Sequence, residues 1–222
     1  MPLNNNSRSQ PASAHRGAVI ACRRRCLNQS RSGTCQSAAV VADLLVPVLE
    51  SQRLRLEPLS PAHSHGMFEL WRQPEVCEHS GPSVDSEGKR IDLPAAARSE
   101  SDRLLAYWLD RWRAGTGFRW AVVLHGPSDF VGAVGFNALG PCSEYAYHFV
   151  PQFWGVGLAA EASRLALSWS FSTGSEAIEA FIEPANNRSI RLAERLGFSL
   201  FSQSAGRPHR YVLTQEKHAT RQ

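Results

Sequence analysis

A chain of 222 residues, 43% hydrophobic and 20% charged, has the length and composition of a soluble protein with a sizeable core. Its formal net charge of +4 is unevenly placed: residues 1–45 carry Arg8, Arg16, Arg23, Arg24, Arg25 and Arg31 against the single acid Asp43. The remainder is close to neutral, which argues against a nucleic-acid footprint, and no apolar run reaches the ~18 residues of a membrane span.

Residues 1–45, rich in Ser, Asn, Gln and Arg, read as a basic, disordered N-terminal extension or as translated upstream sequence, ahead of a targeting segment. Residues 46–215 read as one folded domain and 216–222 as a short tail. The five cysteines (Cys22, Cys26, Cys35, Cys77 and Cys142) are odd in number and form no CxxC pair. No metal site is therefore expected, and ordinary thiols point to a reducing compartment, the cytoplasm.

The fold starts at Val48 to Leu59, where Arg53, Leu54, Arg55, Leu56 and Glu57 alternate as a half-buried strand does. Ser60-Pro61 supplies an N-cap and a first-turn proline for a helix running to about Trp71. Pro74 begins a short second turn. Gly81 to Pro94 reads as loop. A helix is expected over about Ala96 to Arg113, with Leu104, Leu105, Trp108 and Trp112 in helical register, ended by Gly115-Thr116-Gly117. Phe118–Leu124 and Phe130–Phe136 then make a hairpin across Gly126 to Asp129. Gly132 and Gly135 signal a bulge or a close backbone approach. Glu144 to Val150 is a third, aromatic strand, with Tyr145, Tyr147 and Phe149 alternating against Glu144, Ala146 and His148.

Next comes Trp154-Gly155-Val156-Gly157-Leu158-Ala159-Ala160, which opens a helix carrying Leu158, Ala162, Leu165, Ala166 and Trp169 on one face. Two glycines clear side chains from a tight turn. The first helical amides lack intrahelical partners and lie at the positive end of the dipole, so the turn is a seat for phosphate or pyrophosphate. Ala177 to Ile182 is a short strand, Asn186 can cap a helix to Leu196 that Gly197 ends, and Phe198–Phe201 with His209–Leu213 form a last hairpin.

From Val48 to Leu213 this order resembles that of the GNAT N-acetyltransferases, and within them the branch typified by RimJ and RimL, which acetylate protein N-termini. Four segments carry the resemblance. Leu49 to Leu56 is similar to the opening LETERLRLR, and Glu144 to Phe149 to an EIGYWL-type strand. Trp154 to Ala159 is similar to the WGxGxA acetyl-CoA turn. Glu183 to Ser189, followed by Glu194 to Phe198, is similar to DPxNxxS…EKxGF. The resemblance implies an α/β (α+β) GNAT fold, with a mixed, mostly antiparallel sheet flanked by helices and splayed strands that bind acyl-CoA. It implies transfer of an acetyl group from acetyl-CoA to a primary amine, by direct attack in a ternary complex without a metal. The amine would be a small molecule or a protein N-terminus, and the protein a monomer or homodimer. The alternative reading is a non-catalytic acyl-CoA-binding or regulatory domain.

The resemblance also assigns roles. Amides of Gly155, Val156, Gly157, Leu158, Ala159 and Ala160 would seat the pyrophosphate beside Trp154. Val156 departs from the pattern, where a basic or amide residue is usual. The backbone amide of Phe149 or Val150 would polarise the thioester carbonyl. Asn186 would contact pantetheine, with Ser189 one turn later. The family's thiolate-protonating tyrosine, seven residues after that Asn, is replaced by Ala193, leaving Ser189 or water as donor. Glu144 is a candidate base acting through water. His148, on the same strand face and ordinarily titrating near neutrality, is an alternative, and His125 a weaker one. The acceptor site is expected beside Trp71, Glu75, Trp108 and Trp112.

Overall fold

The computed structural model describes residues 45–126, 129–203 and 205–220. The N-terminal arm through residue 44, Cys22, Cys26, Cys35 and half of the 126–129 turn lie outside these residues. The element order is β1 (Leu49–Glu50), β2 (Leu54–Pro58), a 3-10 turn (Pro61–His63), α1 (Ser64–Trp71), α2 (Pro74–Cys77), β3 (Ser83–Val84), β4 (Arg90–Ile91), α3 (Arg98–Arg113), β5 (Phe118–Leu124), β6 (Phe130–Ala138) and β7 (Cys142–Phe149). A second 3-10 turn (Pro151–Phe153), α4 (Leu158–Ser172), β8 (Ala177–Ile182), α5 (Asn187–Leu196), β9 (Ser199–Ser202), β10 (His209–Thr214) and α6 (Gln215–Ala219) follow. Eight strands form one sheet in the order β1-β2-β5-β6-β7-β8-β10-β9, and β3 pairs with β4 apart from it. Neighbours are antiparallel except β7 and β8.

Both faces of the central strands are covered, which explains why β5 reads as an almost continuous apolar run. Phe118, Trp120 and Val122 pack with Leu158, Ala162 and Ala166 of α4 and Ala193 and Leu196 of α5. Ala121 and Ala133 face the opposite way, onto Met67, Leu70 and Trp71 of α1 and Leu104 and Leu105 of α3. Trp169 of α4 stands edge-on to Phe118 and Trp120, with ring centroids 5.1 and 5.2 Å away, so an aromatic cluster fixes α4 against the sheet.

Three local expectations are corrected. Val48 to Leu59 is not one strand: Ser51 folds the chain back, pairing Leu49 with Leu56 and Glu50 with Arg55. The Ser51 amide donates to the Leu54 carbonyl at 2.9 Å and the Leu54 amide to Ser51 Oγ at 3.2 Å. This side-chain competition for backbone groups overrides the alternation. The loop from Gly81 to Pro94 contains the β3–β4 hairpin. Much of the expected tail is α6, whose His218 is buried, with Nε2 3.0 Å from Ser168 Oγ.

Both expectations for the β6 glycines are met. The register shifts between Val122 and Val123, opposite this strand. A Cβ on Gly132 would press into the His148 carbonyl oxygen.

Candidate active site

The site begins where two strands part. β7 continues to Phe149 and β8 to Ile182, but their paired residues run only from Cys142 with Ala177 to Glu144 with Glu179. Past that point a gap opens in the sheet. The Val150 amide donates to the Val131 carbonyl of the β6 segment at 3.0 Å. Alternation along an antiparallel ladder turns the backbone groups of His148 and Ala146 the same way. Those of Tyr145, Tyr147 and Phe149 therefore face the gap. Of the two amides expected to polarise a thioester, Val150 is thus excluded because it is engaged in the ladder, and Phe149 is the candidate. Trp154 Nε1 donates to the Phe149 carbonyl at 2.7 Å, tying the strand end to the turn that follows.

That turn has the expected form. Gly155 and Gly157 take φ of 81° and 86°, the left-handed region that glycine enters without a Cβ penalty. Gly157 is the N-cap of α4, and the first helical bond runs from the Glu161 amide to the Gly157 carbonyl at 3.1 Å. Helix geometry leaves the amides of Leu158, Ala159 and Ala160 without an intrahelical acceptor. The Val156 side chain is 57% exposed and contributes only its backbone. A residue unsuspected from sequence reaches the same place. Arg53, in the β1–β2 turn, donates from Nη1 to the Val156 carbonyl at 3.1 Å and from Nε to Glu161 Oε2 at 2.7 Å.

Across the gap, Asn186 Oδ1 accepts from the Ser189 amide at 3.1 Å, so Asn186 does cap α5. Its side-chain NH2 is a remaining donor. Ser189 Oγ accepts a 2.9 Å hydrogen bond from the Tyr147 hydroxyl. Burial pushes the Tyr147 phenol upward, outweighing the opposite pull of Ser189, so it stays protonated. Alternation placed Tyr147 on the right face, but nothing local in the sequence showed that it would meet Ser189 from 42 residues away.

Glu144 and His148 face the other side of the sheet. Glu144 Oε1 accepts from Asn137 Nδ2 at 2.5 Å, and Asn137 Oδ1 in turn accepts from Arg119. Arg119 is buried, with its guanidinium 3.7 Å from the Trp108 ring centroid. Burial draws its pKa down to about 9, against the attraction of Glu144 and Tyr145, and it remains a cation at neutral pH. Arg111 of α3 joins the cluster through the Asn137 carbonyl, at 2.5 Å. The His148 ring rests 4.6 Å from that of Trp71. Burial, then Arg119, lowers the imidazole to about 3. The expectation that His148 titrates near neutrality is therefore corrected: a desolvated ring facing a buried guanidinium stays neutral. His125 belongs to the β1–β2 turn instead: its Nε2 lies 3.0 Å from the Ser51 carbonyl and its amide donates to the Arg53 carbonyl at 3.0 Å. Of the residues expected near the acceptor, Trp71 and Trp108 pack in the cluster between the sheet and α1 and α3, Trp112 packs against the α4 core, and Glu75 is exposed on α2. Among the described residues no group of three His, Cys, Asp or Glu side chains could hold a metal ion, and no helix is long and apolar enough to cross a membrane.

Parted strands, a glycine-cleared helix start and a capped helix across the gap define an acyl-CoA-binding acetyltransferase, and residues 53–199 match the model of the acetyltransferase (GNAT) domain. The chain belongs to the GNAT acetyltransferase family, which moves an acetyl group from acetyl-CoA to an amine. Among its relatives is YoaA of Bacillus subtilis, an uncharacterized N-acetyltransferase, 26% identical over 162 residues that span 69% of this chain and 84% of YoaA. Mycobacterium smegmatis RimJ, solved with CoA-disulfide, superposes with a TM-score of 0.62 at 18% identity, covering 74% of this chain and 83% of RimJ. Spermidine N-acetyltransferase from Vibrio cholerae, solved with CoA and spermine, gives 0.61 at 17% identity, covering 76% and 99%.

Proposed function

We infer that the chain acetylates an α-amino group, as at a protein N-terminus, with acetyl-CoA seated in the β7–β8 gap. The observation that carries this is the end of strand pairing at Glu144 and Glu179, with gap-facing backbone groups beyond it and the glycine turn directly after. These residues fit the group: apolar strand flanks for pantetheine, and orphan helix amides with no side chain in the way for its pyrophosphate. When bound, acetyl-CoA supplies an activated acetyl group and a thiolate leaving group. The Phe149 amide would polarise the thioester carbonyl, and the NH2 of Asn186 would hold a pantetheine carbonyl. Ser189, accepting from Tyr147, has its own hydroxyl proton to offer the thiolate.

The acceptor class follows from the weakness of the available bases. Glu144 and Phe149 are five strand residues apart, about 17 Å at ~3.3 Å per residue, so Glu144 would act only through water. His148 is closer, but an imidazole lowered to about 3 takes a proton poorly. An α-amine, with a pKa of about 7.7–8.0, is partly neutral at physiological pH, whereas an aliphatic amine near 10.4 is not. Arg119 and Arg111 against the one carboxylate of Glu144 also make this face a poor host for a polyamine. These points favour the RimJ/RimL-like reading, in a cytoplasmic enzyme.

The test is CoA release, read by a thiol reagent, with peptides bearing free N-termini, the same peptides N-terminally blocked but carrying lysine, and spermidine. Turnover confined to free N-termini, with the acetyl group located there by mass spectrometry, supports the reading. Equal or faster turnover of spermidine overturns the acceptor. Tight CoA binding without turnover of any amine would instead favour an acyl-CoA sensor, the reading to which Ala193 and the feeble His148 lend weight.

A further inference from the structure

The glycine turn contributes no cation of its own, since Val156 occupies its centre and Ala160 follows, yet it holds an acid in its first helical turn. Glu161 sits one turn into α4, beside the amides that would meet pyrophosphate. A carboxylate there favours the helix dipole but repels a bound phosphate. The β1–β2 turn closes on this carboxylate. Ser51 Oγ donates to Glu161 Oε1 at 2.7 Å, the Arg53 amide to the same oxygen at 3.2 Å, and Arg53 Nε to Oε2 at 2.7 Å. Arg53 Nη2 lies 2.5 Å from Oε2, so two guanidinium nitrogens share that one carboxylate oxygen. Although burial alone would raise the Glu161 carboxyl, Ser51 and Arg53 hold it below the usual range, so it stays ionised.

Arg53 does not stop at the ion pair. Its Nη1 reaches the Val156 carbonyl at 3.1 Å, and its Nη2 lies 3.5 Å from where a Cβ on Gly157 would stand. The guanidinium thus borders the glycine turn from the β1–β2 turn, 103 residues earlier in the sequence. Its side chain is 47% exposed, so the same group that neutralises Glu161 keeps a face open to a ligand in the turn. We propose that Arg53 is the cation of the pyrophosphate seat, replacing a basic side chain at position 156 and shielding the ligand from Glu161. The inference rests on the acyl-CoA reading of the turn and names the side chain that site depends on.

The test is calorimetric titration of the full chain with CoA at 50 and 300 mM KCl, on the wild type, Arg53→Gln, Arg53→Lys and the double variant Arg53→Gln/Glu161→Gln. Contact between an exposed cation and a phosphate weakens as salt screens it, whereas damage to the fold does not recover with salt. Arg53→Gln is expected to bind CoA at least tenfold more weakly at 50 mM KCl, with the gap to wild type narrowing at 300 mM. Arg53→Lys keeps most of the affinity. The double variant recovers part of the loss, because the repelling carboxylate is gone while the attracting guanidinium is not restored. Unchanged affinity in Arg53→Gln overturns the proposal, as does a loss equal at both salts and undiminished in the double variant, which would mark a purely structural staple. Failure of the wild type to bind CoA is a separate result and removes the acyl-CoA reading itself.

Discussion

At the scale of single residues, the chemistry turns on which protons are available. His148 is neutral because burial and Arg119 both oppose its charging, so no limb of the pH–rate profile near 6.5 belongs to it. The kcat/KM for a peptide acceptor should instead rise with pH towards the α-amine value of about 8 and then level. His148→Gln is expected to lower the plateau without moving the limb; a limb near 6.5 that His148→Gln abolishes would make the imidazole the base after all. On the opposite face, Tyr147 donates to Ser189, and the two hydroxyls act as one unit. Tyr147→Phe removes a hydrogen bond with a net worth of about 1 kcal/mol, while Ser189→Ala removes both that bond and the proposed donor. The measurement is kcat at saturating acetyl-CoA. Tyr147→Phe should lose about tenfold or less, Ser189→Ala more, and the double variant no more than Ser189→Ala alone. Additive losses would mean that Tyr147 acts elsewhere.

At the scale of elements, the glycine turn is where sequence and structure agree most closely. Its signals are local: two glycines that need positive φ, followed at once by an apolar helical stripe. Asn186 as a cap and the terminal Gly197 of α5 are legible for the same reason. What stayed hidden depends on distant partners. Arg119 lies in a strand whose alternation offers two faces, and nothing in Phe118 to Leu124 reveals that α3 brings Trp108 over it or that Asn137 links it to Glu144. Arg53 reads as one more polar residue of an alternating strand until the chain folds back at Ser51. The turn itself invites a paired test. Gly155→Ala and Gly157→Ala place a Cβ at nearly equal positive φ, at roughly 1–2 kcal/mol each. Only at position 157 does the new Cβ face Arg53, at 3.5 Å, whereas at 155 nothing lies within 4 Å. Both variants should lose similar melting temperature, but Gly157→Ala should raise the KM for acetyl-CoA the more. An equal rise in both would place the pyrophosphate elsewhere on the turn.

At the scale of the whole molecule, the sheet separates two proposed tasks: the α4 and α5 face carries the groups proposed to hold acetyl-CoA, and the α1 and α3 face carries the Arg119 cluster proposed to border the acceptor. Each face also carries a histidine, half-buried at His148 and buried at His218, and both are kept neutral. His148 packs on Trp71 below α1, and His218 of α6 lies against Phe171 of α4, with ring centroids 5.0 Å apart. Burial lowers the pKa of both, with Arg119 adding to the effect at His148. The unfolded chain therefore takes up these protons first as pH falls below about 6.5, and stability falls with pH from there, at up to about 1.4 kcal/mol per pH unit for each histidine. Above that value the contribution is complete and flat. Stability measured by urea denaturation should therefore hold between pH 7 and 8 and drop below 6.5. His148→Gln and His218→Gln should each flatten the slope between pH 6.5 and 4.5, and the double variant should flatten it most. A slope unchanged in both variants would assign the acid sensitivity to carboxylates instead, with the Glu161 lock at the mouth of the glycine turn as the first to examine.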